Sequence, residues 1–438
     1  LLWSINIYHS ILALPFFITG PIFYYIAYNT ISTQKAIDRL LLIIIIIGLL
    51  MGIYGILQYI GIDFKLWTGN VGRQKVMGLF GNVNYFAEYL ILPLALTIGL
   101  LLSKGKIVNR FFLYIALAAM GGTLLLTFTR GSYLAITISI PVMILLYIRG
   151  ASTGIDRRFY KKIILILLLL AIIGGGIVYI PHPFNQKDSI IGKLRQRVTI
   201  ESITKGNSAL RRIATWKFTW MMIKDYTLLG SGLGTYDYHT LKYQADFFAK
   251  GNNRDIYPYG QAAQAHNEYL QLWSELGIVG LLTFLWFISN FFRNVFKNIK
   301  KMEAKEKGIV IGLAGGITAV LIDALFGFPL QLAASFSLFW MFLVLAAVEL
   351  SITCSNRAGN VFHSEYLRSP VQKKIGQNIK LNYGTKIIKQ IFLSFLVVIF
   401  MLTSLFFLSR PFLARVYWSK GSRESSKGMY NEAIKNYE

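Results

Sequence analysis

The stretch LLLIIIIIGLLMGIYGILQYI, residues 40–60, decides the fold class of this chain. It carries no charged side chain over a length that crosses the hydrocarbon core of a bilayer, for which about 20 apolar residues are needed. A lone segment in lipid must satisfy its backbone hydrogen bonds internally. Residues 40–60 are therefore predicted to form a transmembrane helix.

The rest of the sequence has the same character. The 438 residues are 55% hydrophobic and 15% charged, with a mean hydropathy of +0.51, whereas soluble domains carry about 25% charged residues. This composition excludes a soluble globular enzyme and a disordered chain. The single cysteine, Cys354, excludes an internal disulfide and a cysteine-based zinc site. We predict an all-α polytopic membrane protein.

Apolar runs of helical length predict about ten transmembrane helices. The predicted spans are residues 11–31, 40–60, 84–102, 111–129, 131–148, 163–180, 271–292, 308–326, 330–349 and 390–409. They divide the chain into the following predicted regions: N-terminal transmembrane helices at 1–181, an extracytoplasmic loop at 182–270, transmembrane helices at 271–349, a basic cytoplasmic loop at 350–389, a last transmembrane helix at 390–409 and an extracytoplasmic tail at 410–438. We expect both ends of the sequence to be truncated.

The formal net charge is +25, which in a soluble protein would suggest nucleic acid as a partner. In a membrane protein, cytoplasmic loops collect Lys and Arg, so no nucleic-acid partner is predicted. Placing the basic linkers in the cytoplasm puts residues 182–270 on the outer side. That loop is itself basic, which indicates an anionic ligand or a solvated basic surface. The chain is predicted to cross the membrane several times, with the site on the outer side.

Arg130 lies between two apolar runs in the motif Thr129-Arg-Gly-Ser132. An arginine at a helix centre costs at least ~2.5 kcal/mol, although near an interface the side chain can extend to water. A guanidinium forms paired hydrogen bonds with phosphate oxygens. Arg130 is thus either an anion-binding residue or an interfacial anchor.

A second basic pair, Arg211 and Arg212, begins an amphipathic stretch that includes Trp216. Residues four apart share one helix face, so Arg212 and Trp216 are predicted to point the same way. This pattern suits a helix at the membrane surface with its arginine directed at a lipid head group. Ordinary interfacial anchoring explains either residue taken singly.

His266 stands just before a predicted span, in the motif Ala265-His-Asn-Glu-Tyr-Leu270. Histidine is the side chain whose ordinary pKa lies near neutrality, which suits a base that deprotonates a hydroxyl. The alternative is a structural interfacial histidine. Asn84, Glu88 and Asp323 are polar groups at membrane depth, which must line a polar cavity or brace neighbouring helices.

The glycines of Gly230-Ser-Gly-Leu-Gly234 do not have the dinucleotide-binding spacing, and no strand–helix unit surrounds them. We interpret them as turn and packing residues. No Asp-x-Asp motif occurs, and the outer loops hold no tight carboxylate cluster. Magnesium and manganese prefer carboxylate oxygen, so no metal and no cofactor is predicted, and arginines must neutralise any bound diphosphate.

Taken in order, these motifs resemble the O-antigen ligase superfamily, which includes O-antigen ligases, polysaccharide polymerases and protein O-oligosaccharyl ligases. The resemblance covers roughly residues 60–350. The motifs that carry it are GLFGNVNY at 78–85, TRGS at 129–132, R-x-x-x-W at 212–216, LLGSGLG at 228–234, AHNEYL at 265–270 and ELGIVG at 275–280.

The resemblance implies transfer of a glycan from an undecaprenyl-diphosphate carrier to an acceptor hydroxyl of a lipid A core, a protein or a growing polysaccharide. It implies that Arg130 and Arg212 bind the diphosphate and that His266 activates the acceptor. Arg211, Asn84, Asn267 and Glu268 are also predicted to contact substrate, and the resemblance implies a location in the bacterial inner membrane with the site facing the periplasm. Direct displacement at the anomeric carbon predicts inversion, and nearby arginines are expected to keep His266 neutral.

The tail suggests a further feature. Residues 428–438 are similar to the middle of a tetratricopeptide repeat, which would bind a protein or glycan partner, although an ordinary amphipathic helix fits as well. Two other functions remain open. A transporter or flippase of an anionic lipid-linked solute would use Arg130 along its path, but no internal repeat is found. A non-catalytic scaffold leaves the Arg130, Arg212 and His266 set unexplained.

Overall fold

A computed structural model describes residues 3–63, 76–103, 108–151, 207–249 and 262–357, and these residues contain helices and no strand. The predicted all-α polytopic membrane fold is confirmed. Six of the described helices are long and apolar enough to cross a membrane. The helices are α1 (Ile7–Thr30), α2 (Gln34–Tyr59), α3 (Val83–Leu102), α4 (Arg110–Leu126), α5 (Arg130–Gly150), α6 (Asn207–Asp225), α7 (Tyr236–Ala249), α8 (Glu268–Asn298), α9 (Ala304–Asp323) and α10 (Ala333–Arg357), with 3-10 turns at Ile299–Lys301 and Pro329–Gln331.

Eight of the ten predicted spans fall on described residues, and each corresponds to a helix. Two of them differ from the prediction. The 111–129 span is the shorter apolar helix α4, and the 308–326 span, α9, is not among the six candidates because acidic and basic side chains lie at its ends. The predicted spans at 163–180 and 390–409 and the tail at 410–438 lie outside the described residues.

The centre of the bundle is α3, which is buried along almost its whole length. It packs closely against α9, and α9 also packs against α5 and α10. Gly99 of α3 meets Gly312 of α9, and Gly308 meets Ser103, so closely that an added Cβ at either glycine would collide. Because helices in lipid associate through tight packing of small residues, these contacts hold the two helices in one register.

The polar ends of the described helices separate into two groups. We call the end that carries α6 and α7 the loop end and the opposite one the basic end. At the basic end, Lys305 Nζ lies 2.6 Å from Asp38 Oδ2, and the Arg149 guanidinium lies 4.7 Å from the centroid of the Phe296 ring. The predicted alternation, in which the basic linkers share one side, stays a prediction.

At the loop end, α8 is interrupted at Gly277, which has φ 69° and ψ −176°. The chain after α6 binds this break: Ile278 N donates to Thr227 O at 2.8 Å, and Gly232 N donates to Glu275 O at 2.9 Å. A Cβ at Gly277 would collide with the Leu228 backbone. The turn and packing interpretation of the 230–234 glycines is therefore correct for these contacts, and the break secures α6 and α7 to the bundle.

Candidate functional site

The Thr129–Ser132 motif forms the start of α5 at the loop end. Arg130 is the first residue of the helix and is exposed. Thr129, the N-cap, makes no side-chain capping bond. The buried Ser132 hydroxyl donates to Asp323 Oδ1 at 3.2 Å, and a Cβ at residue 131 would stand 2.9 Å from the same oxygen. Glycine and serine in this motif therefore make room for Asp323 and hold it.

Two buried carboxylates, Glu88 of α3 and Asp323 at the end of α9, form the floor of the site. Glu88 Oε2 and Asp323 Oδ2 accept no hydrogen bond from the described residues. Gly327 lets the chain pass over Glu88, since a Cβ there would come within 2.7 Å of Glu88 Oε1. Buried carboxylates are costly unless a cation is near. Both lie close enough to Arg212 to attract it.

Arg212, on α6, is half-buried above these carboxylates. Burial lowers the pKa of Arg212, while Asp323 and Glu88 act in the opposite direction, and Arg130 adds to the lowering. Four residues on, the Trp216 indole N–H donates to Ala265 O at 3.1 Å. The predicted common face of Arg212 and Trp216 is thus confirmed, and it faces the segment that carries His266.

His266 has φ 51°, a conformation that is uncommon for residues other than glycine. Such strain costs about 1–3 kcal/mol and is concentrated at functional sites. The imidazole is half-buried, and its centroid lies 5.2 Å from that of Phe328. Burial and, to a lesser extent, Arg212 lower the pKa of His266 to about 4. The expected neutral imidazole agrees with this value, although burial outweighs the arginine.

The structure brings three of the predicted site residues together: Arg130, Arg212 and His266 are linked by electrostatic interactions through Arg212. Asn84 lies nearby, and its Oδ1 accepts from the Thr129 hydroxyl at 3.5 Å. Arg211 is exposed, and adjacent helical residues such as Arg211 and Arg212 point about 100° apart. Its role in substrate contact stays a prediction.

Asn267 and Glu268 have structural partners. Asn267 Oδ1 caps α8 by accepting from the amides of Tyr269 and Leu270, each at 3.0 Å. Glu268 Oε1 accepts from Leu330 N at 2.8 Å, and its Oε2 accepts from Gln331 at 3.2 Å. These bonds fix the segment after His266. The predicted substrate contacts of Asn267 and Glu268 remain untested.

Sequence reasoning singled out Glu88 and Asp323 as polar residues at membrane depth but did not place them beneath Arg212. The available signal was the rarity of carboxylates in a span, which favours a buried cationic partner. Within the described residues, no group of three His, Cys, Asp or Glu side chains is arranged to hold a metal ion.

The fold and this site define a class: an all-helical, multi-pass membrane protein that presents two arginines and a neutral histidine over buried carboxylates at one end of the bundle. Residues 115–285 match the family model described as O-Antigen ligase. The chain therefore carries an O-antigen ligase domain over those residues, and the resemblance drawn from the motifs is confirmed. Such a domain indicates glycan transfer of the ligase or polymerase type. The match includes Arg130, Arg212 and His266, and a comparison with curated proteins returns no match.

Proposed function

We propose that this protein transfers a glycan from undecaprenyl diphosphate to an acceptor hydroxyl at the loop end, which we place on the periplasmic side of the bacterial inner membrane. The observation that carries the proposal is that Arg212 interacts electrostatically with both Arg130 and the neutral His266. The arrangement joins an anion site to a base. The acceptor is a lipid, a protein or a growing polysaccharide.

The diphosphate is held by guanidiniums and by backbone amides. Arg130 stands at the start of α5, whose N-cap makes no side-chain capping bond, and helix N-termini attract phosphate through their N–H groups and the helix dipole. Arg212 approaches from α6 and is attracted by Glu88 and Asp323. Charge grows on the departing phosphate oxygen, so fixed cations stabilise the transition state more than the ground state.

His266 acts as the general base. The acceptor oxygen attacks the anomeric carbon while the bond from that carbon to the diphosphate oxygen breaks, and its electron pair goes to the diphosphate. The hydroxyl proton passes to a ring nitrogen of His266. A pKa of about 4 keeps the imidazole neutral at physiological pH, and direct displacement inverts the anomeric carbon.

The test is turnover of purified undecaprenyl-diphosphate glycan by the full-length protein in detergent, with EDTA present and the products sized on a gel. We expect release of undecaprenyl diphosphate. A lengthening ladder identifies a polymerase, and one-step transfer to an added acceptor identifies a ligase. His266→Ala should keep donor binding and lower turnover about 10²- to 10⁴-fold, as expected for loss of a general base.

His239→Ala is the matched control, since that histidine lies on α7 and packs against Tyr226 and Tyr238. It should keep wild-type turnover. Full activity of His266→Ala would remove the base assignment. No consumption of donor by folded protein with any acceptor would contradict the transferase proposal and favour transport of a lipid-linked solute or a scaffolding role.

A further inference from the structure

A cavity that the proposed chemistry does not use lies near the segment that carries His266. Its volume is about 240 Å³, and it lies among α1, the start of α7 and the first turns of α8. Drug-sized ligand pockets span about 300–1,000 Å³, so this cavity is suited to a small group rather than to a long chain. Gln264, two residues before His266, lines it.

The polar lining consists of amides held in a fixed network. Gln271 Nε2 donates to Glu275 Oε1 at 3.2 Å and to Gln331 Oε1 at 3.4 Å, and Gln271 Oε1 accepts from Ala265 N at 3.0 Å. Gln264 Oε1 differs, since it is buried and accepts no hydrogen bond from the described residues. Amides both donate and accept, which suits a ligand rich in hydroxyl groups.

The charge of the lining separates this cavity from the anion site. The carboxyl side chains among the described lining residues are Asp237 and Glu275, and no Lys or Arg lines the cavity. Carboxylates oppose a phosphate, so the cavity does not suit an anion. Phe16 and Phe17 form the apolar wall, and Phe16 is held by stacking on Phe336 with centroids 4.6 Å apart. The negative face of an aromatic ring attracts polarised C–H groups, such as those on one face of a sugar.

We propose that this cavity binds a neutral sugar ring of the glycan substrates, with Gln264 donating to or accepting from a ring hydroxyl. The inference rests on the proposed function, because it supplies the sugar that His266 and the arginines bring to reaction. The sugar belongs either to the acceptor or to the donor glycan, and the cavity chemistry is the same for both.

The binding test uses saturation-transfer NMR on the full-length protein in nanodiscs. The probes are methyl glycosides of glucose, galactose, mannose and N-acetylglucosamine, with inorganic pyrophosphate as the anion probe. At least one glycoside should bind the wild type. Gln264→Leu should weaken its Kd about threefold to tenfold, the effect of one neutral hydrogen bond, and leave pyrophosphate binding unchanged. Arg212→Gln should weaken pyrophosphate binding and leave glycoside binding unchanged.

Asn290→Leu is the matched control, because that amide lies half-buried on α8, away from the cavity lining, and bonds only to its own helix backbone in the described structure. Phe16→Leu is the second variant and removes the aromatic wall while keeping an apolar side chain. Thermal melts establish that each variant is folded. A wild type that binds none of the glycosides, or folded Gln264→Leu and Phe16→Leu variants that bind as the wild type does, would overturn the proposal.

Kinetics then assign the source of the sugar. A raised acceptor KM in Gln264→Leu places the acceptor ring in the cavity, and a raised donor KM places the donor ring there. Sugar binding without release of undecaprenyl diphosphate would refute the proposed function and leave the cavity assignment standing. Unaltered KM values in an active Gln264→Leu variant would refute the cavity assignment alone.

Discussion

Protonation of His266 offers the sharpest quantitative prediction. Its pKa is lowered from 6.5 to about 4 by burial and by Arg212. That difference corresponds to about 3 kcal/mol in favour of the neutral imidazole, at 1.36 kcal/mol per pH unit. At pH 5 the ring should be ~90% neutral, whereas an unperturbed histidine would be ~3% neutral. Transfer should therefore show no loss from His266 protonation between pH 7.5 and 5.5 and decline only near pH 4.

The effect of His266 on the free energy of unfolding follows from the same two pKa values. Above pH 6.5 His266 is neutral in both states, so its protonation makes no difference to stability. As the pH falls from 6.5 towards 4, the unfolded chain binds a proton that the folded chain excludes, and about 3 kcal/mol of the unfolding free energy is lost. His266→Gln should remove this component of the acid dependence.

The assay is a pH titration of the histidine ring resonances by NMR, with the His266 signal assigned by its absence in His266→Gln. Turnover is measured across the same pH range. A midpoint between 6 and 7 would refute the argument that burial keeps this ring neutral. In Arg212→Gln the midpoint should rise, since one source of repulsion is gone, but stay below 6.5 because the ring remains buried.

Three further predictions follow from the remaining contacts. Arg212→Lys should raise the donor KM at least about tenfold, since an ammonium cannot form the paired contacts of a guanidinium. Steady-state kinetics measure this, and an unchanged KM would exclude paired hydrogen bonds between Arg212 and the diphosphate. Gly277→Ala should lower the free energy of unfolding by at least ~1 kcal/mol, because Gly277 has a positive φ and a Cβ there would collide with Leu228. Denaturation is compared with Gly150→Ala, at a glycine of ordinary φ where the nearest atom to an added Cβ is 3.4 Å away, and equal losses would contradict the backbone argument. Glu275→Gln should lower the free energy of unfolding by ~1–3 kcal/mol, because the Glu275 carboxylate accepts from Gly234 N at 2.6 Å and from Tyr236 N at 3.3 Å. A thermal melt unchanged from the wild type would show that these bonds do not stabilise the loop.

The sequence predicted the helical spans because apolar length and the backbone requirement in lipid act locally. The run at 40–60 is an example, since its charge-free length alone identifies α2. Hydropathy is less decisive for α9, where Glu306 and Asp323 interrupt the apolar run. Packing against α3, a non-local property, positions that helix.

Candidate site residues could be proposed from the sequence where a residue type carries its own chemistry. Arg130 and His266 were identified because a guanidinium at membrane depth and an interfacial imidazole each suggest a function. Tertiary contacts could not be foreseen in the same way. The bond from Gly234 N to Glu275 joins residues 41 positions apart, and no local pattern indicates it.

Asn267 is a residue whose sequence position fits both a binding role and a structural role. Its position after His266 suggested substrate contact, whereas its side chain caps α8. Asparagine is among the favoured N-cap residues, so the sequence did contain the signal for a structural role. An asparagine that caps a helix and an asparagine that binds a ligand are the same residue type. Only the position of the helix start distinguishes the two roles.

The glycine contacts between α3 and α9 have a consequence for how activity responds to distant substitutions. Gly312 lies eleven residues before Asp323 on one helix, a rise of about 16 Å. Because the helix is stiff, a side chain that wedges α9 away from α3 at Gly312 would tilt or shift the carboxylate that attracts Arg212. Loss-of-function substitutions are therefore expected along the contact between α3 and α9, far from any substrate. A scan for inactive variants should find them there as well as at the site itself.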